Sequence, residues 1–225
     1  MTFSITARCA RTGMLGVAVT SSSMAVAARC AFVRAGVGAV ATQNITDPRL
    51  GPKALDLIAE GRSAPQALEA MVSEHVDMQF RQLVLVDAAG GSADFSGVRT
   101  LGCNGVARAE GAVAAGNLLS GIGVPHAMIE AFKAGAEEHL AERLVRALEA
   151  GLAAGGEEGP VRSAGLLVAD KQAWPTVDLR VDWSDGDPIA GLRKIWFGWQ
   201  PQMDDYVTRA VDPSSSPTYG VPGDP

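Results

Sequence analysis

A threonine stands directly behind Met1, at the head of the alternating stretch TFSITAR. Aminopeptidases commonly remove a methionine that precedes a small residue. Removal here would leave Thr2 with a free α-amine beside its own hydroxyl. Such an amine has a pKa of about 7.7–8.0, so it can take a proton near neutral pH. Threonine paired with its own terminal amine is one of the recognised ways to activate a weak oxygen nucleophile. The bland alternative is that Thr2 simply favours β structure.

Other chemistry is sparse. The chain carries no GxSxG, P-loop, HExxH or CxxC pattern. Its three histidines, His75, His126 and His139, are spread out, and two fall inside helical patterns. They suit surface or helix-end roles better than a triad or a zinc site. GVGAVA (36–41) matches a loose dinucleotide loop, but that motif must open a helix, and this stretch runs on as a strand into Asp47-Pro48. Small residues there would instead let a neighbouring layer come close. Cys9 and Cys30 are weak as nucleophiles, because neither has a histidine or a helix start beside it in sequence. Nothing in the chain points to a metal or a cofactor.

Bulk properties narrow the class. The 225 residues fit one large domain or two small ones, and 47% are hydrophobic, enough for a sizeable core. A net charge of −6 and no basic run argue against nucleic acid and anionic membrane as partners. No apolar stretch approaches the roughly 20 residues of a membrane span, and the first residues lack the apolar region of a signal peptide. Three widely spaced cysteines suit a reducing compartment, so a cytoplasmic location is expected.

The elements that must position Thr2 follow from periodicity. TFSITAR and MLGVAVTSS form a hairpin around Thr12-Gly13, and GVGAVATQ is a further short strand. GPKALDLIAEG and SAPQALEAMVSEH are helices, the second with Ser63 as N-cap and Pro65 in its first turn. RQLVLVDAAGGSADFSG is a strand–turn–strand unit, and RAEGAVAAGNLL contains another strand. Two helices follow, in VPHAMIEAFKAG and HLAERLVRALEAGLAAG. The strands RSAGLLVAD and PTVDLRVDW come next, and then a helix capped by Asp187 with Pro188 behind it. The domain is expected over 1–199, with an irregular Pro/Ser/Gly-rich tail over 200–225. Strands arriving in hairpins between pairs of helices favour antiparallel sheets with helices outside, an α+β four-layer αββα sandwich.

MTFSITAR, LGVAVTSS, RAGVGAVATQ, GPKALDLIAEG, GNLLSG and SAGLLVAD, ending at VDLRVD, together resemble the N-terminal-nucleophile (Ntn) hydrolase superfamily. Within it the chain most resembles a bacterial family, domain of unknown function family 1028, over roughly residues 2–195. The resemblance implies the αββα sandwich and puts Thr2 at the nucleophile position. Proteasome-like members support the nucleophile with an acid and a base near the ends of the second and third strands. Here the matching segments are VTSSSM and FVRAG. Ser21 stands where the acid would be, and Arg34 is the expected cation, with Arg29 as the alternative. A cation there would hold the terminal amine neutral by like-charge repulsion.

Gln43 and Asn117, near predicted strand ends, are candidate oxyanion-hole donors, and Ser163 is a candidate for the rim of the site. The expected activity is amide hydrolysis of a small metabolite or peptide-like substrate. A non-catalytic binding or assembly protein on the same scaffold is the alternative. The late cluster Trp183, Trp196, Phe197 and Trp199 suits core or a subunit contact, so a homo-oligomer is expected.

Overall fold

The computed structural model describes residues 1–223. In chain order the elements are β1 (Thr2–Arg8), β2 (Leu15–Ser21), α1 (Ala27–Cys30), β3 (Ala31–Arg34), β4 (Gly38–Asn44), α2 (Leu50–Ala59), α3 (Ala64–Glu74), β5 (Arg81–Asp87), β6 (Ser92–Ser96), β7 (Gly105–Ala109), β8 (Ala112–Asn117), α4 (Gly123–Ala134), α5 (Leu140–Ala153), β9 (Ser163–Ala169), β10 (Val177–Val181), α6 (Pro188–Trp199) and α7 (Met203–Val211). A six-stranded sheet has the order β10-β9-β2-β1-β8-β7, and a four-stranded sheet has the order β3-β4-β5-β6. Every pairing is antiparallel.

Helices α4, α5 and α6 cover the outer face of the larger sheet, and α2 and α3 cover that of the smaller one. The result is the four-layer αββα sandwich. Alternation within each strand sorts its side chains between layers. In β1, Phe3, Ile5 and Ala7 enter the core under α4 and α5. The middle core between the sheets is built from Leu15, Val17 and Val19 of β2, Ala39 and Ala41 of β4, Val84 and Val86 of β5, and Val113 and Ala115 of β8. β1 adds no apolar side chain to it. Its other face is Thr2, Ser4 and Thr6, all buried. The space between the sheets therefore has a polar end, at the head of β1.

Local chemistry fixes the element ends as the sequence suggests. Ser63 Oγ accepts from Gln66 N, and the Gln66 side chain accepts from Ser63 N, a complete capping box at α3. Asp187 Oδ1 accepts from Ile189 N (2.8 Å) and Ala190 N (3.2 Å) at the start of α6. The GVGAVA stretch is a turn with Gly36 at φ +68°, followed by strand β4, and it opens no helix. At Gly38 an added Cβ would lie 3.3 Å from Ile58 Cδ1 and 3.5 Å from Leu55 Cδ2 of α2, so the small residue permits close contact with the helix layer.

Two elements, α1 and β7, were not anticipated, and β3 was expected only through the family resemblance, in FVRAG. Each is short, with too few residues to display a period. The expected irregular tail also needs correction. Helix α7 occupies part of it, buries Met203 against the core under α6, and stacks Tyr206 on Trp199 with ring centroids 4.9 Å apart. Asp204 and Asp205 in its first turn and Arg209 in its last suit the helix dipole, a signal present in the sequence. Trp196 is wholly buried and stacks on His139, while Phe197 is exposed. No helix among the described residues is long and apolar enough to cross a membrane.

Candidate functional site

Thr2 opens β1 directly across from Asn117 of β8, and β2 flanks it on the other side. It is 6% exposed. Its hydroxyl donates to the Met1 carbonyl oxygen at 2.5 Å and lies 3.3 Å from Ser21 Oγ. Ser21 Oγ also donates to that carbonyl at 2.5 Å. Behind Ser21 runs a relay: Ser23 Oγ is 2.8 Å from Ser21 Oγ, and Arg29 Nη2 donates to Ser23 Oγ at 2.7 Å. Because Ser21 spends its proton on Met1, Ser23 donates to Ser21. Every bond in the chain then points from the guanidinium toward the carbonyl ahead of Thr2, and such chains reinforce one another. Arg29 Nη1 donates to the carbonyls of Met24 and Ala25.

Arg34 is not part of this cluster. It pairs with Gly38, at the opposite end of β4 from Gln43. Gly38 and Gln43 are five steps of strand apart, about 17 Å at roughly 3.3 Å per residue. The Arg34 side chain is 42% exposed, and its guanidinium pairs with Asp56 at 2.8 Å. The reason lies in direction: α1 sits near the polar end, and every residue of β3 carries the chain farther from it. The cation that faces Thr2 is Arg29, on α1, through the two serines.

Gln43 and Asn117 are brought together, but by a residue that the sequence reading missed. Gln82 Oε1 accepts from Gln43 Nε2 (2.8 Å) and Asn117 Nδ2 (3.1 Å). Gln82 Nε2 donates to Ser96 Oγ (3.0 Å) and the Gly116 carbonyl (3.1 Å). Ser4 Oγ donates to Gln43 Oε1 at 2.7 Å. The signal for Gln82 was its place in RQLVLVD, in period-2 register with Val84 and Val86, which put it on an inward face. Asn117 Oδ1 is buried with no partner. Ser163 braces the turn that carries the relay: its Oγ donates to the Ser23 carbonyl (2.6 Å) and accepts from Val26 N (3.1 Å). It sits beneath that turn and not at an open rim.

Glu157 also belongs to this end and gave no sequence signal, because it lies in a glycine-rich connection. It is 5% exposed, its Oε2 accepts from Ser22 N at 3.1 Å, and its Oε1 is buried without a partner. Burial pushes its carboxyl up to about 7, against the pull of the Met1 amine and the Ser22 hydrogen bonds. Burial likewise raises the Cys30 thiol, offset in part by Thr46, Arg29 and the Met1 amine.

Met1 closes the site. Its terminal methyl lies 3.1 Å from where a Cβ on Gly159 would stand, so the residue packs onto the segment that follows Glu157. A surface groove of about 650 Å³, lined by Glu60, Arg62 and Glu69, lies instead by α2 and α3. Asp87, at the far end of β5 from Gln82, receives the first N–H of α3, so this groove is at the other end of the sandwich.

Residues 2–192 match a family described as of unknown function, DUF1028. Protein SPO2555 from Silicibacter pomeroyi, a solved structure assigned to the same family, is 29% identical with a TM-score of 0.81, and the match covers 88% of each chain. Anbu (ancestral beta-subunit) from Yersinia bercovieri is 9% identical with a TM-score of 0.41, covering 90% of this chain and 96% of its own. Anbu from Hyphomicrobium sp. strain MC1 gives 10%, 0.40, 97% and 100%. At those scores the two Anbu structures say nothing about chemistry here. No curated protein matches the chain.

Proposed function

The chain belongs to the DUF1028 family, and from that premise we propose that it is an N-terminal-nucleophile amidohydrolase acting through Thr2 once the residue ahead of Thr2 is removed. The observation that carries the reading is the convergence of the Thr2 and Ser21 hydroxyls, the latter backed by Ser23 and the Arg29 guanidinium, on the carbonyl just ahead of Thr2. Removing Met1 frees the amine and vacates the space its carbonyl fills. Ser21 Oγ, backed by Ser23 and Arg29, is then left with a proton to give to a substrate oxygen.

In the reaction, Thr2 Oγ1 bonds to the carbonyl carbon of an amide as its proton passes to the Thr2 nitrogen. The carbonyl electron pair moves onto oxygen. Asn117, the register partner of Thr2, is the amide assigned to donate to that oxyanion, and one such donor is typically worth about 10²–10³ in rate. Gln43 supports it through Gln82. The proton then moves to the departing nitrogen as the carbon–nitrogen bond breaks, and water releases the acyl group by the same route. A small-molecule amide, a cytoplasmic setting and a homo-oligomeric assembly complete the proposal.

A second reading has its own observation. With Met1 present, Thr2 is capped and buried, as suits a scaffold that binds or assembles without turnover. One experiment separates the two. The chain is produced with Thr2 as its first residue, beneath a cleavable leader, and treated with a β-lactone acylating probe. Intact mass and peptide mapping should place one adduct on Thr2, accompanied by turnover in a panel of amides, and Thr2→Ala should lose both. Absence of adduct and of hydrolysis in the Thr2-first chain leaves the scaffold reading.

A further inference from the structure

β1 falls short of its neighbours at its head. It is flanked by β8 and β2, and both continue past its first residue, into Leu118–Ser120 and Ser22 respectively. The gap ahead of Thr2 is filled by the segment after α5. Glu157 forms an antiparallel bridge with Leu119. Ser120 N donates to the Gly156 carbonyl (3.0 Å), and Glu158 N donates to the Leu118 carbonyl (3.1 Å). On the other side, Glu157 Oε2 accepts from Ser22 N. The carboxylate thus reaches from the β8 side to the β2 side across the head of β1.

Two acceptor atoms at this point have nothing to accept from. Glu157 Oε1 and Asn117 Oδ1 are both buried and unpartnered. Asn117 is the register partner of Thr2, and Glu157 lies in the slot just ahead of it. An unmade hydrogen bond on a buried acceptor costs about 1–3 kcal/mol, more for a charged group. Two such atoms flanking one strand end call for a donor, and a buried carboxylate calls for a cation.

We propose that Glu157 is the positioning residue for the liberated Thr2 amine, taking one of its N–H groups on Oε1 while Asn117 Oδ1 takes another. This rests on the Thr2 reading above and deepens it. Two N–H groups held in this way turn the nitrogen lone pair toward Oγ1. When the hydroxyl proton arrives, the carboxylate stabilises the ammonium that forms and keeps its own proton count unchanged. The arrangement follows the logic by which a buried acid orients a catalytic base and steadies its charged form. The other ionisable groups facing the amine are Arg29, through Ser23 and Ser21, and the Cys30 thiol. The guanidinium favours the neutral amine and the carboxylate favours the ammonium, so the proton can move both ways near neutral pH.

The test uses the full chain beginning at Thr2, with and without Glu157→Gln. The α-amine is titrated by the pH dependence of its reaction with a limiting acylating reagent, read by peptide mapping. The variant should titrate at least one pH unit lower, tenfold in proton affinity, because it keeps a hydrogen-bond acceptor and loses the charge. Glu157→Asp should restore part of the shift. An unchanged α-amine titration in a folded Glu157→Gln variant overturns the assignment. A crystal structure of the unsubstituted Thr2-first chain tests it without any variant: an Oε1-to-nitrogen distance near 3 Å supports it, and one beyond 4.5 Å rejects it. A shifted titration with no hydrolysis of any amide would remove the hydrolase reading and leave the pairing. Hydrolysis with no shift would remove the pairing alone.

Discussion

Gln82 decides more at the polar end than its place in an apolar strand suggests. One side chain joins Gln43, Asn117, Ser96 and the Gly116 carbonyl, and so ties both sheets together. Gln82→Leu is close in volume, yet it strands the amides of Gln43 and Asn117 and a backbone carbonyl in a buried place. Each unmade bond costs about 1–3 kcal/mol, against roughly 2 kcal/mol gained from the added apolar burial. The expected outcome is a net loss of about 2 kcal/mol or more in urea unfolding. A loss below 0.5 kcal/mol would mean that the network adds little. Thr2 was legible as a candidate from its place behind Met1, Asn117 and Gln43 from amides near predicted strand ends, and Ser21 only through the family resemblance. Gln82 was missed, although its inward register was there to mark it. Glu157 was not legible, since nothing local distinguishes it from its neighbour Glu158.

At the scale of elements, propensity and packing pull against each other in α2. Gly51 lies in its first turn, where alanine would ordinarily be better by about 1 kcal/mol. An added Cβ would, however, stand 2.1 Å from Phe32 Cδ2 and within 2.5 Å of two further ring atoms. Phe32 is on β3, beneath the helix, so the ring or the helix must shift. Overpacking of this kind costs about 1–3 kcal/mol and outweighs the propensity gain. Gly51→Ala should therefore lower the thermal midpoint, and a raised midpoint would show that α2 yields without cost. The helices themselves were legible because each long one carries a full apolar stripe. Short α1 and β3 exist because β2, β4 and β9 hold them in place, and no local pattern encodes that.

For the whole molecule, the buried carboxylate makes stability depend on pH. Glu157 titrates near 7 when folded, against an ordinary 4.5. Its folded form therefore binds more protons than the unfolded chain between those values. Its contribution is fully present below about pH 4.5 and is lost as pH rises through 7. A shift of this size corresponds to on the order of 3 kcal/mol. Asp47 acts in the opposite sense: Arg49 holds its carboxyl well below the usual range, so its contribution is present above about pH 4 and lost as pH falls. The stability difference between the Met1-bearing protein and its Glu157→Gln variant, measured by urea unfolding at pH 5 and pH 8, should move toward the variant at the higher pH. A difference independent of pH would place the Glu157 carboxyl near its ordinary value.

The residue order alone determined that this chain folds as an αββα sandwich with a threonine at the head of its first strand. Period-2 and period-3.6 patterns, caps and turns are written locally, and they agree with one another along most of the domain. Only the tertiary structure decided which cation and which acid face that threonine. Arg29 displaces Arg34 because α1 turns the chain back before β3 leads it away. Glu157 arrives from beyond α5 because the chain leaving β8 and β2 runs on past the head of β1 and leaves a slot to be filled. Both outcomes depend on where strands end relative to their neighbours, a property of the assembled sheet that no single stretch of sequence contains.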